Sequence, residues 1–236
     1  MLSVLAAALF AFAVFSAWVP RMVSFAAGAL LAAAFLHLLP EAFMQAGSIE
    51  GLFAVTLAGV LAFFLLEKTA LWRHRHDDDG GHGAHAGSCR AGLLIVVGDG
   101  FHNFVDGILI AAAFLTDVTV GLVTTAAIIA HEIPQEVGDF LILLHSGYDK
   151  AKALLLNVVS SLTAVAGGVL GYFALEGARE ATPYMLALAA ASFIYIAVAD
   201  LMPDMHRAND TRSTLWQIGL IAAGIAAIAL PFSLLH

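Results

Sequence analysis

Eight apolar runs divide the chain, at residues 2–19, 22–44, 52–72, 91–115, 120–145, 151–175, 184–206 and 214–235, with short polar stretches between them. Each is close to the ~20 residues that an α-helix needs to cross a bilayer. The runs are continuous rather than alternating, which selects helices over the strands of a β-barrel, because a backbone in lipid must satisfy its own hydrogen bonds. The pattern predicts an all-α integral membrane protein, a bundle of eight transmembrane helices forming one domain over residues 1–236. Composition agrees, at 61% hydrophobic and 12% charged, against about 45–50% and about 25% in soluble domains.

The ten Lys and Arg residues set the expected orientation. Arg21, then Lys68, Arg73, Arg75 and Arg90, then Lys150 and Lys152, then Arg207 and Arg212 fall in odd-numbered connections, and only Arg179 falls in an even one. Cytoplasmic connections collect basic residues, so both termini are expected on the extracytoplasmic side of a multi-pass plasma (inner) membrane protein. Glu50, Asp117, Glu176 and Glu180 in the opposite loops agree. The first run has no Lys or Arg ahead of it, as a signal peptide would, and is expected to be a retained helix. The single cysteine, Cys89, excludes an internal disulfide framework and a CxxC zinc site. A net charge of -8 gives nucleic acid nothing to bind.

Residues 73–90, RHRHDDDGGHGAHAGSCR, interrupt the apolar pattern. They read as a flexible His-rich cytoplasmic loop. It is either a solvated connection or a weak metal-collecting segment using His74, His76, His82, His85, Asp77, Asp78 and Asp79, and the composition leaves both open.

Polar residues inside two of the runs carry the chemistry. At about 100° per residue, His102, Asp106, Asp99 and Asn103 fall at about 0°, 40°, 60° and 100° around the fourth helix. His131, Gln135, Asp139, Glu132 and Glu136 fall at about 0°, 40°, 80°, 100° and 140° around the fifth. Both stripes lie near mid-membrane, where one ionisable side chain costs at least about 2.5–3.5 kcal/mol without a partner. Imidazole mixed with carboxylate and amide oxygen suits Zn²⁺, Fe²⁺ or Mn²⁺, with Cd²⁺ a further alternative, rather than an all-oxygen Ca²⁺ or Mg²⁺ cage. A polar network gluing two helices needs only one or two such residues. A proton relay would use the carboxylates and histidines but leaves Asn103 and Gln135 unexplained. Pro134 has no N–H for the carbonyl of Ala130, so the fifth helix is expected to kink beside these residues.

Other runs add to this set. His37 and Glu41 share one face of the second run, in HLLPEA, and Asp200 and Asp204 share one face of the seventh, in DLMPDMH. Leu38, Leu39, Pro40 and Glu41 match Leu201, Met202, Pro203 and Asp204 on helices of opposite direction, which suggests a 3+2+3 inverted repeat. Asn157 and Ser161 on the sixth run read as helix–helix hydrogen bonding. The candidate metal-binding residues are His102, Asn103, Asp106, His131, Glu132, Gln135, Glu136 and Asp99, with His37 and Glu41 flanking them.

HNFVDG followed by HEIPQEVGDF, with HLLPEA upstream and ADLMPDM downstream, resembles the ZIP family of divalent-metal transporters, and most the branch whose fifth helix reads HExPHE. The resemblance covers nearly the whole chain. It implies a transport site, binuclear in form, built from His102, Asn103 and Asp106 with His131, Glu132 and Gln135, and Glu136 follows the same motif. It also implies uptake toward the cytoplasm, a transport unit moving against a scaffold, and a homodimer. The partners expected are divalent ions and the lipid bilayer, with Zn²⁺ as transported substrate and no catalytic cofactor. Gln135 departs from the branch, which has a second histidine there, and its neutral amide is a poorer zinc ligand than imidazole.

HEIPQ also invites comparison with the HExxH of zinc proteases, so an intramembrane metallohydrolase is a competing reading. Gln135 stands where the second histidine would be, and Pro134 interrupts the helix that motif requires. A proton-coupled transporter using the carboxylate and histidine cluster is the other alternative.

Overall fold

A computed structural model describes residues 19–77, 84–206 and 210–233. The described residues are helical with short connections: α1 (Val19–Ala33), a π-turn (Ala34–Leu38), α2 (Leu39–Gln45), α3 (Ile49–Asp77), α4 (Ala84–Thr116), α5 (Val118–His145), α6 (Lys150–Glu176), a 3₁₀ turn (Arg179–Ala181), α7 (Thr182–Tyr195), a second π-turn (Ile196–Leu201), α8 (Met202–Met205) and α9 (Thr211–Ser233). The seven runs from 22–44 onward each fall on helix as far as Ser233, while residues 2–18 of the first run and 234–235 of the last lie outside the described residues. Helix also reaches into both ends of the stretch expected to be a flexible loop, since α3 continues to Asp77 and α4 begins at Ala84. Residues 78–83 of that stretch lie outside the described residues.

Among the described residues, four segments are long and apolar enough to cross a membrane: Arg21–Gln45, Lys150–Glu176, Thr182–Ala199 and Thr211–Leu230. The distribution of side chains is that of a protein in lipid. Large apolar residues such as Phe64, Leu170, Phe173, Leu215 and Trp216 point outward, while Ser24, Thr124, His131, Glu136 and Asn157 are buried. Lipid provides no hydrophobic drive to bring helices together, so association relies on small residues and close packing. The core follows that rule: Ala26, Ala27, Ala29, Ala33 and Ala34 of the α1 segment and Ala187, Ala189, Ala190 and Ala191 of α7 are all buried, filled in by Leu30, Leu109, Val123 and Phe193.

Two helix pairs touch backbone to backbone. A Cβ at Gly107 of α4 would overlap the carbonyl oxygen of Ala164, and one at Gly167 of α6 would overlap that of Phe104. On the other side of the bundle, Gly28 of α1 meets the carbonyl of Ile221 and Gly224 of α9 meets that of Phe25. The α4–α6 and α1–α9 contacts are also the most extensive among the described residues.

Polar caps fix the helix ends. Asp117, the single residue joining α4 to α5, accepts hydrogen bonds from the N–H groups of Thr119 (2.6 Å) and Val120 (3.4 Å). Asp149 caps α6 by accepting from Lys152 N–H at 3.0 Å, and Asp210 accepts from Ser213 N–H at 3.0 Å before α9. Gly147, at φ 90°, ends α5 with Tyr148 N–H bonded back to Leu143 O and Gly147 N–H to Leu144 O, the paired bonds of a Schellman turn.

The two π-turns occupy matched places. Leu39 N–H reaches back five residues to Ala34 O, Met202 N–H reaches back five to Ala197 O, and each is followed at once by proline, Pro40 and Pro203. The carbonyls of Phe35 and Val198 are then left without a helical donor. Their four-residue partners have been given away, and their five-residue partners are prolines without an N–H.

Gly107→Val should lower the thermal stability of the detergent-solubilised protein by an equivalent of about 1–3 kcal/mol, because neither backbone can retreat. Gly219→Ala, where nothing lies within 4 Å, should be neutral or stabilising by up to ~1 kcal/mol. Thermal unfolding of the two variants side by side checks this. At Asp117, the Thr119 backbone bond, aided by the Thr119 side chain and Val120, holds the carboxyl below the usual aspartate range. A depressed folded value means the cap's stabilisation is present above the ordinary aspartate pKa and is lost as pH falls through the folded value. Amide exchange at Thr119 and Val120 should therefore accelerate, relative to the intrinsic rate, at acid pH in the wild type, and be uniformly fast in Asp117→Ala.

Candidate metal centre

α4 and α5 are antiparallel neighbours joined through Asp117 alone, so residues about fourteen positions from that joint on each helix come level. His102 and Asp106, one turn apart on α4, meet His131 and Glu132 on α5. One ligand atom from each of the four lies within 4.8 Å of the others. The two Nε2 atoms of His102 and His131 are 3.3 Å apart. Asp106 Oδ2 is 3.4 Å from His131 Nε2 and 3.7 Å from His102 Nε2. Glu132 Oε1 is 3.6 Å from His102 Nε2 and 3.7 Å from His131 Nε2. A tetrahedral Zn²⁺ site with bonds of about 2.0–2.2 Å has ligand–ligand edges of about 3.3–3.6 Å. Three of the five measured edges have that length, and the other two, at 3.7 Å, are slightly longer.

The surroundings leave these atoms little else to do. Asp106, His131 and Glu132 are at most 3% exposed, and among the described residues none donates a hydrogen bond to an oxygen of Asp106 or Glu132. An orphaned buried carboxylate is costly, and a cation is the partner that fits. His131 Nδ1 lies 3.2 Å from Ala127 O. A proton on Nδ1 makes that bond and leaves the Nε2 lone pair facing the cluster, the arrangement typical of a metal ligand. Phe193 of α7 abuts the same ring, with centroids 6.2 Å apart. His102 is the exposed member, at 21% of its side chain.

The other candidate residues are placed elsewhere. Asn103 Nδ2 and Gln135 Nε2 both donate to Asp99 Oδ1, at 3.0 and 3.3 Å, so an amide from each helix converges on one carboxylate a turn away. Glu136 faces α6, where Ser161 Oγ donates to its Oε1 and Asn157 Nδ2 donates to its backbone oxygen at 2.9 Å. Thr163 Oγ1 donates to Gly100 O of α4. The reading of Asn157 and Ser161 as helix–helix hydrogen-bonding groups matches these contacts, while in the same polar stretch, NVVSSLT, Thr163 also reaches α4 and Ser160 bonds Asn157 O within α6. Their signal was four hydroxyl and amide side chains within seven residues of an otherwise apolar run.

His37 and Glu41 are not at the cluster. They line a cavity of ≈ 660 Å³ at the Asp117 end of the bundle, with Leu36, Met44, Thr116, Asp117 and Thr119 among its walls. Fourteen helical residues separate His102 from Thr116, a distance of about 21 Å. Pro134 is buried within α5, which continues through it.

A family model described as ZIP Zinc transporter matches residues 71–231. "Zinc transporter ZIP13" of Pongo abelii is 37% identical over 239 residues, covering 92% of this chain and 68% of that protein. "Zinc transporter ZIP13" of Mus musculus is 34% identical, covering 89% and 69%. "Zinc transporter ZIP4" of Homo sapiens is 42% identical over 122 residues, which is 52% of this chain and 19% of that protein.

Glu132→Gln removes one of two opposed carboxylates without changing side-chain shape. The metal-free variant should unfold at a higher temperature than metal-free wild type, because like-charge repulsion is relieved. Wild type should gain about 2.7 kcal/mol from Zn²⁺ at a hundred times its dissociation constant, and the variant should gain far less at that concentration. Thermal unfolding with and without Zn²⁺ measures both.

Proposed function

The chain belongs to the ZIP zinc transporter family, and on that premise we propose that it carries Zn²⁺ toward the cytoplasm through the site formed by His102, Asp106, His131 and Glu132. It is an integral membrane protein that transports divalent metal cations. The observation that carries the site assignment is the tetrahedron of two imidazole nitrogens and two carboxylate oxygens, buried between two helices, in which the oxygens have no hydrogen-bond donor.

The direction rests on charge. With nine of the ten basic residues in odd-numbered connections, the Asp117 end faces outward. A cation from outside then meets the cavity of His37, Glu41 and Asp117 first. Between that cavity and the cluster lie Leu109, Ala112 and Ala113 of α4 and Val120, Val123 and Ala127 of α5, all buried and apolar. This plug supports an inward-facing state, closed toward the outside. The ion sheds water onto the four ligands and leaves when the bundle changes its open side. Metal binding to histidine and carboxylate displaces protons.

Asn103 and Gln135 belong to the same centre, through Asp99, and a second ion beside the first makes it binuclear. The matched π-turn and proline of the α1–α2 and α7–α8 segments support the 3+2+3 inverted repeat of eight helices with both termini outside. The homodimer rests on the family resemblance alone, and the plasma membrane is proposed together with the charge-based orientation. The metallohydrolase reading loses ground because the position a second zinc-binding histidine would need is Gln135, whose amide donates to Asp99.

The test is Zn²⁺ uptake by the purified protein in sealed liposomes. Wild type should fill the vesicles down a Zn²⁺ gradient, and Asp106→Ala should match protein-free liposomes although it folds and inserts. Uptake by a well-folded Asp106→Ala at the wild-type rate removes the site assignment. Competition by Mn²⁺, Fe²⁺ and Cd²⁺ in the same assay ranks the substrates.

A further inference from the structure

The two imidazoles of the cluster are held unequally. His131 is 1% exposed, whereas 21% of the His102 side chain is open. The Nδ1 of His131 lies 3.2 Å from Ala127 O, and the Phe193 ring of α7 abuts its ring at 6.2 Å between centroids and 63° between planes. One hydrogen bond is a pivot rather than a clamp, because the ring can still swing about it. How far it can swing is decided by what is packed against it.

Phe193 is built to be that stop. It is the largest fully buried side chain among the described residues, and Ala189, Ala190 and Ala197, within about one turn of it on the same face, are buried alanines. Main-chain packing joins its helix to α2, α3 and α4, while the approach of α7 to α5 is slight. The ring therefore reaches across to a ligand carried by a helix its own backbone barely meets. We propose that Phe193 is a positioning residue that sets the size of the ion the tetrahedron accepts, by stopping the His131 imidazole from backing away, and so favours Zn²⁺ over the larger Cd²⁺. The proposal rests on the transport reading above and deepens it by naming what limits the substrate. An ion with longer bonds widens every edge of the tetrahedron. His102 can yield toward its open side, but His131 would have to press into a close-packed ring, at the cost of an off-rotamer side chain or a displaced helix. Zn²⁺ and Cd²⁺ both have a filled d shell and impose no geometry of their own. With the four ligands unchanged, a shift in the ratio of their affinities then reports the space around those ligands.

The experiment uses the full chain in lipid nanodiscs, with Zn²⁺ and Cd²⁺ competing for the site and Co²⁺ as a spectroscopic probe. Phe193→Ala should raise Cd²⁺ affinity relative to Zn²⁺ by roughly tenfold, and Phe193→Leu, which keeps part of the wall, by roughly threefold. Co²⁺ in wild type should show the intense visible absorption of a tetrahedral ion, and Phe193→Ala should lose much of that intensity per bound ion as the loosened site admits water. Leu186→Ala is the control: this residue is as buried as Phe193 on the same helix, about two turns away, and its truncation loosens the core with ratio and spectrum expected at wild-type values. Phe193→Leu serves if Phe193→Ala does not fold. An unchanged ratio and Co²⁺ spectrum in the Phe193 variants, or an equal shift in Leu186→Ala, would overturn the positioning role. Failure of wild type to move Zn²⁺ into liposomes would instead overturn the transport reading, whatever the binding ratios show.

Discussion

Asp106 and Glu132 place four carboxylate oxygens, none with a hydrogen-bond donor, where neither water nor headgroups reach. Like charges so close in a weakly screening interior cannot both persist unneutralised. The two imidazoles answer that constraint, and the rest of the bundle keeps the four atoms in place. His131 is fixed from behind by Ala127 O and from the side by Phe193. α4 is fixed by backbone contact with α6, and α5 by the bonds of Asn157 and Ser161 to Glu136. Because the measured ligand edges, 3.3–3.7 Å, are within about 0.1 Å of what a tetrahedral ion needs, little reorganisation is left for the moment of binding, which favours affinity through preorganisation.

The same bundle divides into two tightly joined parts. α4 and α6 are interlocked at Gly107 and Gly167, and α1 and α9 at Gly28 and Gly224. Between the parts, α1 and α7 meet α4 and α5 across a core of buried alanines with Leu30, Leu109, Val123 and Phe193. Small side chains make a smooth surface. The family resemblance implies a transport unit that moves against a scaffold, and the smooth boundary and the interlocked pairs are the surfaces such a motion would need.

Much of this was legible in the sequence, for identifiable reasons. Continuous apolar runs disclose helices because lipid allows little else, and the run boundaries came close wherever a capping aspartate such as Asp117 or Asp149 marked the start. The tetrahedron was legible because His102 with Asp106, and His131 with Glu132, fall on one face of each helix and equally far from the joint. Rotation about the side-chain bonds is not encoded in periodicity. The wheel put Glu136 at the edge of the same polar face, and only the position of Ser161 explains why its carboxyl turns to α6. His37 and Glu41 share a polar face too, but their distance along the axis from the cluster depends on how α1 slides against α4, which no single-helix pattern fixes. The π-turns were signalled only by Pro40 and Pro203. A proline marks a missing donor but does not say whether the helix bends or takes in an extra residue.

Each π-turn is, in effect, one residue too many, and its consequence is a matter of phase. An added residue turns everything beyond it by about 100° relative to everything before. On the α1–α2 segment the alanines before the turn face the core, while Pro40, Glu41 and Met44 after it face the cavity at the Asp117 end. One helix thereby serves two orthogonal purposes, packing along one half and lining a mouth along the other, without a break in the rod. The arrangement tolerates substitution but not a change in residue count: shortening the segment by one residue would leave a sound helix whose outer half presents Glu41 in a different direction.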